Sequence, residues 1–232
     1  MTNLPPCTST SVDAVPTKPA RRPAKPKPPA ALDPAADELA DEAVYRRLGF
    51  VETDLSGRTA ALAEFEQCRF RTANLSNTRL ERASFTDCLL ESSDLANLRT
   101  VKSSLHRVHL SADRMTGLHW VDGALREVAI TDCRADLSSF RFTAFQNVLF
   151  EDCVLTRADF QNADLTGARF VNCDLTGAQF SHAKMTGTRL TGCVLAHLGG
   201  VSSLAGATVS GADLVALTYT LAGALGINIE DS

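Results

Sequence analysis

Large apolar residues recur at every fifth position between Phe65 and Leu195 without a slip in register. The series runs through Phe70, Leu75, Leu80, Phe85, Leu90 and Leu95, resumes after Thr100 at Leu105, and resumes again after Ala135 at Phe140. Of the 27 positions at this spacing, 25 are Leu, Phe, Ile, Met or Trp. Five matches neither the helical period nor the strand period, so the chain must turn a corner in each unit and bury one large side chain between corners. Two residues before each large one sits a small one, as at Ala63, Cys68, Ala73, Cys153 and Ala163, and the residue between them is often polar, as at Asn74 and Asp164. One large and one small inward position per unit predicts a narrow tube lined by stacked side chains.

The stretches Ala73-Asn74-Leu75-Ser76-Asn77, Ala163-Asp164-Leu165-Thr166-Gly167 and Cys173-Asp174-Leu175-Thr176-Gly177 resemble the repeating unit of the pentapeptide-repeat family. The resemblance covers roughly residues 50–214. It implies an all-β solenoid, a right-handed quadrilateral β-helix with four pentapeptides per coil and no enzymatic activity. On that scheme the 27 units make about 6.75 coils, a rod on the order of 32 Å long at the spacing of paired strands. Each coil then contacts only its neighbours, and both open ends need caps.

Both ends carry cap signals, which divide the chain into a tail over 1–33, an N-terminal capping helix over 34–49, the β-helix over 50–209, and a C-terminal capping helix and tail over 210–232. At the first end Asp33 serves as N-cap, Pro34 as first-turn proline, Arg46 and Arg47 as late cations and Gly49 as the stop. At the second, the register slips by one residue to Leu204, Val209 and Leu214. Ser210 with Asp213 then opens a helix with the stripe Leu214, Leu217, Leu221 and Leu225, ended by Gly226. Either helix serves as a lid. The C-terminal one is also a candidate homodimer contact, as the family resemblance implies.

All nine prolines fall in residues 1–34, a segment with a net charge of +3. With little to bury it is expected to be disordered, and extended where proline is dense. Its character resembles the tails of actinobacterial proteins. It lacks the apolar core of a signal peptide, and the chain has no apolar run long enough for a membrane span.

Six of the seven cysteines, Cys68, Cys88, Cys133, Cys153, Cys173 and Cys193, occupy small inward positions and recur at intervals of 20. There a thiol packs as a small hydrophobe, and a straight ladder of sulfurs offers neither disulfide geometry nor a tetrahedral zinc site. A thiol-rich chain of this kind is expected in the cytoplasm. No cofactor is implied. His106, His109 and His119 point outward without a matching acid or nucleophile, and phosphate-loop, nucleophile-elbow and metalloprotease motifs are absent from the sequence. The six-residue period of left-handed acyltransferase helices is excluded by the period of five.

Function is less legible. The best understood members of the family mimic DNA and bind type II topoisomerases, which requires a surface dense in carboxylates. Residues 63–197 carry 15 basic and 16 acidic side chains. The face of Arg79, Arg82, Arg99, Lys102 and Arg141 is slightly basic, and that of Glu64, Glu66, Asp87, Glu127 and Asp164 only weakly acidic. Such mixing describes an ordinary solvated surface.

A second reading starts from the irregular middle, 98–148, where Leu98, Leu118 and Asp113 stand at small inward slots. The coil there is expected to bulge, or to turn Asp113 outward, because an unpaired inward carboxylate is costly. Val101, Val121 and Phe142 project from one flank beside Arg141, a candidate partner surface. Trp120 is inward by phase. The basic tail is a third candidate, able to dock an acidic partner or nucleic acid, and otherwise a spacer. The expectation is a rigid protein-binding scaffold with an unidentified protein partner. A DNA gyrase modulator is the alternative.

Overall fold

The computed structural model describes residues 21–228 of the 232-residue chain. The expected disorder of residues 1–20 and the extreme C-terminal tail lie outside the described residues. The chain winds as a right-handed quadrilateral β-solenoid of about eight parallel coils. Each coil takes 20 residues: Val44 pairs with Glu64, Glu64 with Ser84, Ser84 with Ser104, Ser104 with Ala124, and Ala124 with Ala144.

The large inward side chains form four columns. The first face stacks Tyr45, Phe65 and Phe85, with ring centroids 4.9 and 4.5 Å apart. The second stacks Phe50 on Phe70 at 4.4 Å and, further along, Phe150 on Phe170 at 4.9 Å. The third is built on Leu55, Leu75 and Leu95, and the fourth on Phe140, Phe160 and Phe180, 5.3 Å apart in each pair. Such stacks add about 0.5–1.5 kcal/mol per pair beyond burial. Between the two phenylalanine-rich ends the core changes to Leu, Met, Ile and Trp120, and encloses a cavity of about 20 Å³ beside Leu95, Met115 and Trp120.

Corners fall every fifth residue, in left-handed backbone with φ of 50–61° at the non-glycine positions. That conformation costs an ordinary residue about 1–2 kcal/mol and suits Gly, Asn and Asp. Those residues accordingly occupy many corners, among them Asn77, Asn97, Asp132, Asn162 and Gly167. At the small inward position, side-chain donors reach the carbonyl of the preceding coil. Thr78 Oγ1 donates to Leu55 O at 2.7 Å, Thr143 Oγ1 to Trp120 O at 2.8 Å, and Cys153 Sγ to Ile130 O at 3.3 Å. The slot therefore admits Ala, Cys, Ser and Thr for one reason: each fits, and those with a donor satisfy a backbone acceptor. The six described cysteines are free and buried there.

Three expectations need correction. No helix occupies 34–49. Val44–Arg46 and Leu48–Val51 are strands paired to the next coil, and Asp33–Pro34 pairs with Leu48–Gly49. Tyr45 and Phe50 extend the five-residue series backwards, and pairing with Phe65 and Phe70 outweighs the capping signals around Asp33 and Gly49. The end is closed by an irregular loop whose Ala35 and Leu39 pack on the core. Tyr45 pins that loop, its hydroxyl accepting from Ala40 N at 2.9 Å and donating to Glu38 O at 3.2 Å.

Second, the middle coils do not bulge: Ser104–Ser111, Ala124–Thr131 and Ala144–Glu151 keep the 20-residue offset as long strands crossing a corner. Asp113 stays inward and only 2% exposed. Its Oδ1 accepts from Ser93 N at 2.7 Å, while Oδ2 has no partner. Trp120 is buried as expected, and Gly123 makes room for it: a Cβ there would lie 2.5 Å from Trp120 Nε1 and 2.6 Å from Ser103 O.

Third, residues 21–32 are ordered against the solenoid. The segment lies along the second face, where Arg22 pairs with Glu151 at 2.6 Å and Ala24 N donates to Glu127 at 2.7 Å.

At the other end the slip of one residue is present, with Thr208 paired to Arg189. The helix Gly211–Ala224 follows, capped by Ser210, whose side chain accepts from Asp213 N at 3.2 Å. Asp213 Oδ2 in turn accepts from Cys193 N at 3.2 Å, so the helix supplies the bond a further coil would have made. Leu217 is buried against the last coil, whereas Leu214 and Leu225 of the expected stripe stay exposed. Among the described residues no helix is long and apolar enough to cross a membrane.

Candidate partner-binding flank

The fourth face and its two corners carry the residues singled out from sequence. Val101 and Val121 are direct strand partners, and Arg141 continues their column, its carbonyl accepting from Asp122 N at 3.0 Å. All of these point outward. Phe142 occupies the next corner with φ of 57° and is 52% exposed. The Arg141 guanidinium lies over the Phe142 ring, 5.6 Å from its centroid, and its Nε stands 3.8 Å from Asp159 Oδ2. Stacking between ring and carboxylate pre-orders a long side chain that would otherwise lose rotamer freedom on binding.

The structure brings Val121, Arg141 and Phe142 together around one groove of about 520 Å³, with His119, Arg157 and Asp159 on its walls and Ser138 and Ser139 as its floor. Val101 faces the adjoining groove of about 630 Å³, beside Arg79, Glu81 and Arg99. Leu137 was missed from sequence. It forms the opposite lip of the Phe142 groove, 51% exposed, and like Phe142 it adopts φ of 57°. Its signal was available: it is the one bulky apolar side chain in a corner column that otherwise has Gly57, Asn77, Asn97, Gly117, Arg157, Gly177 and His197. A large residue held in left-handed backbone and exposed to water gains nothing for the core. Leu62 is a second corner leucine of this kind, with φ of 58° and 42% exposure.

On the first face, which would have to resemble DNA, three of the five carboxylates are ion-paired. Glu66 pairs with Arg46 at 2.6 Å, Asp87 with Arg107 at 2.6 Å, and Asp164 with Lys184 at 3.6 Å. Arg107 holds the Asp87 carboxyl below its ordinary range, and the Thr166 hydroxyl chiefly does so for Asp164. The histidines form no cluster of catalytic shape. His106 lies 2.6 Å from an Arg107 nitrogen, His109 sits on the second face against Thr131 at 3.0 Å, and His119 lines the flank groove. Desolvation lowers the affinity of all three for a proton.

Among solved structures, trypsin-treated QnrB1, a plasmid-mediated fluoroquinolone resistance protein, aligns over 82% of this chain and 99% of its own, at 15% identity and a TM-score of 0.32. A pentapeptide repeat protein from the Arabidopsis thaliana thylakoid lumen aligns over 56% of this chain and 64% of its own, at 16% identity and a TM-score of 0.17. Rfr23 from the cyanobacterium Cyanothece 51142 aligns over 73% and 90%, at 13% identity and a TM-score of 0.19. No curated protein matches the sequence. The family model for a pentapeptide repeat region matches residues 63–140 and 103–180, and that for pentapeptide repeats matches residues 173–197. With more than half of its length matched and each repeat serving as one side of a four-sided coil, the chain belongs to the pentapeptide repeat family.

Proposed function

We propose that this protein is a non-enzymatic, rigid scaffold that captures a protein partner on its fourth face. The observation that carries this reading is the pair of half-exposed side chains Leu137 and Phe142 at the two corners of one face, with an open groove between them. Val121 and Arg141 line that groove, and Val101 extends the surface by one coil. Because the backbone beneath is a paired solenoid, little ordering cost attends binding. Six free buried thiols support a reducing compartment, and with it a cytoplasmic location.

The test compares immobilised parent with the Val121→Ser/Phe142→Ser double variant against one cell extract by quantitative mass spectrometry. Species retained by the parent and lost by the variant, at unchanged melting temperature, are expected. Equal retention refutes the flank. The alternative, modulation of DNA gyrase by DNA mimicry, needs an array of free carboxylates, whereas Glu66, Asp87 and Asp164 are ion-paired. A supercoiling assay separates the two readings: no effect at tens of micromolar protein is expected, and inhibition or quinolone protection below micromolar would favour mimicry.

The outer side of the C-terminal helix offers a homodimer contact. Val215 is 72%, Tyr219 69% and Leu225 75% exposed, an apolar surface on an element that has already spent Leu217 on the last coil.

A further inference from the structure

The second face carries a different kind of surface, already filled. Its outward column at the middle coils is apolar, with Ala129 and Leu149, and Leu149 is only 3% exposed although it points away from the tube. What covers it is the chain's own segment Arg22-Pro23-Ala24-Lys25-Pro26, which lies over Val108, His109, Ala129, Thr131 and Leu149 with a pocket of about 110 Å³ remaining between them. Pro23, Ala24 and Pro26 are half-buried, while Arg22, Lys25 and Lys27 stay exposed. Acidic groups meet the segment from both rims. Arg22 pairs with Glu151 at 2.6 Å on one side, and Glu127 accepts from Ala24 N at 2.7 Å on the other. Arg169 donates to Arg21 O at 2.9 Å, and Gln67 Nε2 donates to Lys27 O at 3.4 Å.

The geometry is commensurate. Pro23, Pro26 and Pro29 recur every three residues, the turn of a polyproline II helix, so all three share one side. One such turn rises about 9.3 Å, and two coils rise about 9.6 Å, so a proline-spaced strand presents the same side to every second coil. Residues 21–28 form no ladder of their own, and Glu127, Arg169 and Gln67 engage three of their backbone groups, the kind that polyproline II leaves unbonded.

We propose that this groove is a binding site for extended, proline-spaced basic peptides, and that residues 22–28 of the chain occupy it in cis, closing it to a partner that carries such a segment. The inference is independent of the fourth-face flank, with which it shares no residue.

The test uses full-length protein and a labelled synthetic peptide of residues 21–30, followed by fluorescence anisotropy. Three proteins are compared: the parent, a strap-released variant (Arg22→Glu with Ala24→Pro, removing the ion pair and the N–H donor), and the released variant carrying Glu127→Gln and Glu151→Lys in the groove. A tethered segment acts at an effective concentration of about millimolar, so the free peptide should bind the released variant at least about tenfold more tightly than the parent. The groove substitutions should abolish that gain, and added salt should weaken it. Failure of the peptide to bind the released variant overturns the site. Equal binding to parent and released variant overturns its occupation in cis, and binding that survives the groove substitutions overturns the assignment to this face.

Discussion

Asp113→Asn tests the energetics of the column that runs through the small inward slots. In the folded protein Asp113 is 2% exposed, and its carboxyl is pushed up to about 7, chiefly by desolvation, with a further push from Glu91 against the pull of the Ser93 and Ser111 backbones. In the unfolded chain it ionises near pH ~3.9. A raised folded value means the stabilising contribution is complete below about pH 4, declines as pH rises towards about 7, and is gone above that. Three units at about 1.36 kcal/mol each put the loss on the order of 4 kcal/mol. Asparagine keeps an oxygen for Ser93 N and cannot ionise. The variant should therefore match the parent, or fall about 1 kcal/mol below it, at about pH 4. Its relative stability should then gain about 1.4 kcal/mol per pH unit up to neutrality and level off. Urea unfolding of both proteins between about pH 4 and about pH 8 reads this directly, because every other titrating group cancels in the difference. A difference that stays constant across that range would show that Asp113 is not held neutral by burial, and the reasoning would fail. Asp113→Ser should reproduce the pH effect, since Ser93 and Ser103 already accept from Ala73 N at 3.2 Å and Ala83 N at 3.0 Å.

Phe160→Ala removes the middle ring of the Phe140–Phe160–Phe180 stack, and a loss of about 3–5 kcal/mol is expected in urea unfolding. A loss below about 1 kcal/mol would mean the column collapses to fill the gap. Light scattering of the parent should give twice the 24.8 kDa chain mass, and Val215→Ser/Tyr219→Ser should return it to monomer. A monomeric parent would remove the helix as a dimer contact.

The solenoid was legible because the five-residue period is a property of the core itself: every member of the series from Phe65 to Leu195 faces inward, and so do the exceptions Thr100 and Ala135. The N-terminal helix was misread because its signals were local. Asp33, Pro34 and Gly49 look like caps to the nearest residues, while Tyr45 and Phe50 answer to residues twenty positions away. Asp113 was expected to turn outward on the cost of an unpaired carboxylate. The backbone N–H of Ser93 and a shifted protonation equilibrium, neither visible in a composition, reduce that cost. The outward placement of Val101, Val121 and Phe142 was readable by phase. Leu137 carried a signal of its own, as a bulky side chain in a corner column, but the inward pattern draws no attention to the corners. The segment Arg22–Pro26 was hidden for another reason: its proline and alanine suggest little to bury, and the surface that receives them is assembled from residues several coils later, from Val108 to Glu151.

The pairing of a proline segment with a stack of coils gives the molecule a ruler. Each coil senses only its neighbours, and the terminal helix reads only the last one through Cys193 and Asp213. A duplication of twenty residues in register would thus lengthen the tube by one coil without disturbing either cap. The segment along the second face has no such freedom. To keep Arg22 on Glu151 it would need about one and a half more residues for each coil inserted beneath it. Growth of the rod by whole units is therefore expected to be matched in the proline segment in steps of three residues for every two coils, and where it is not, the groove opens at its far end.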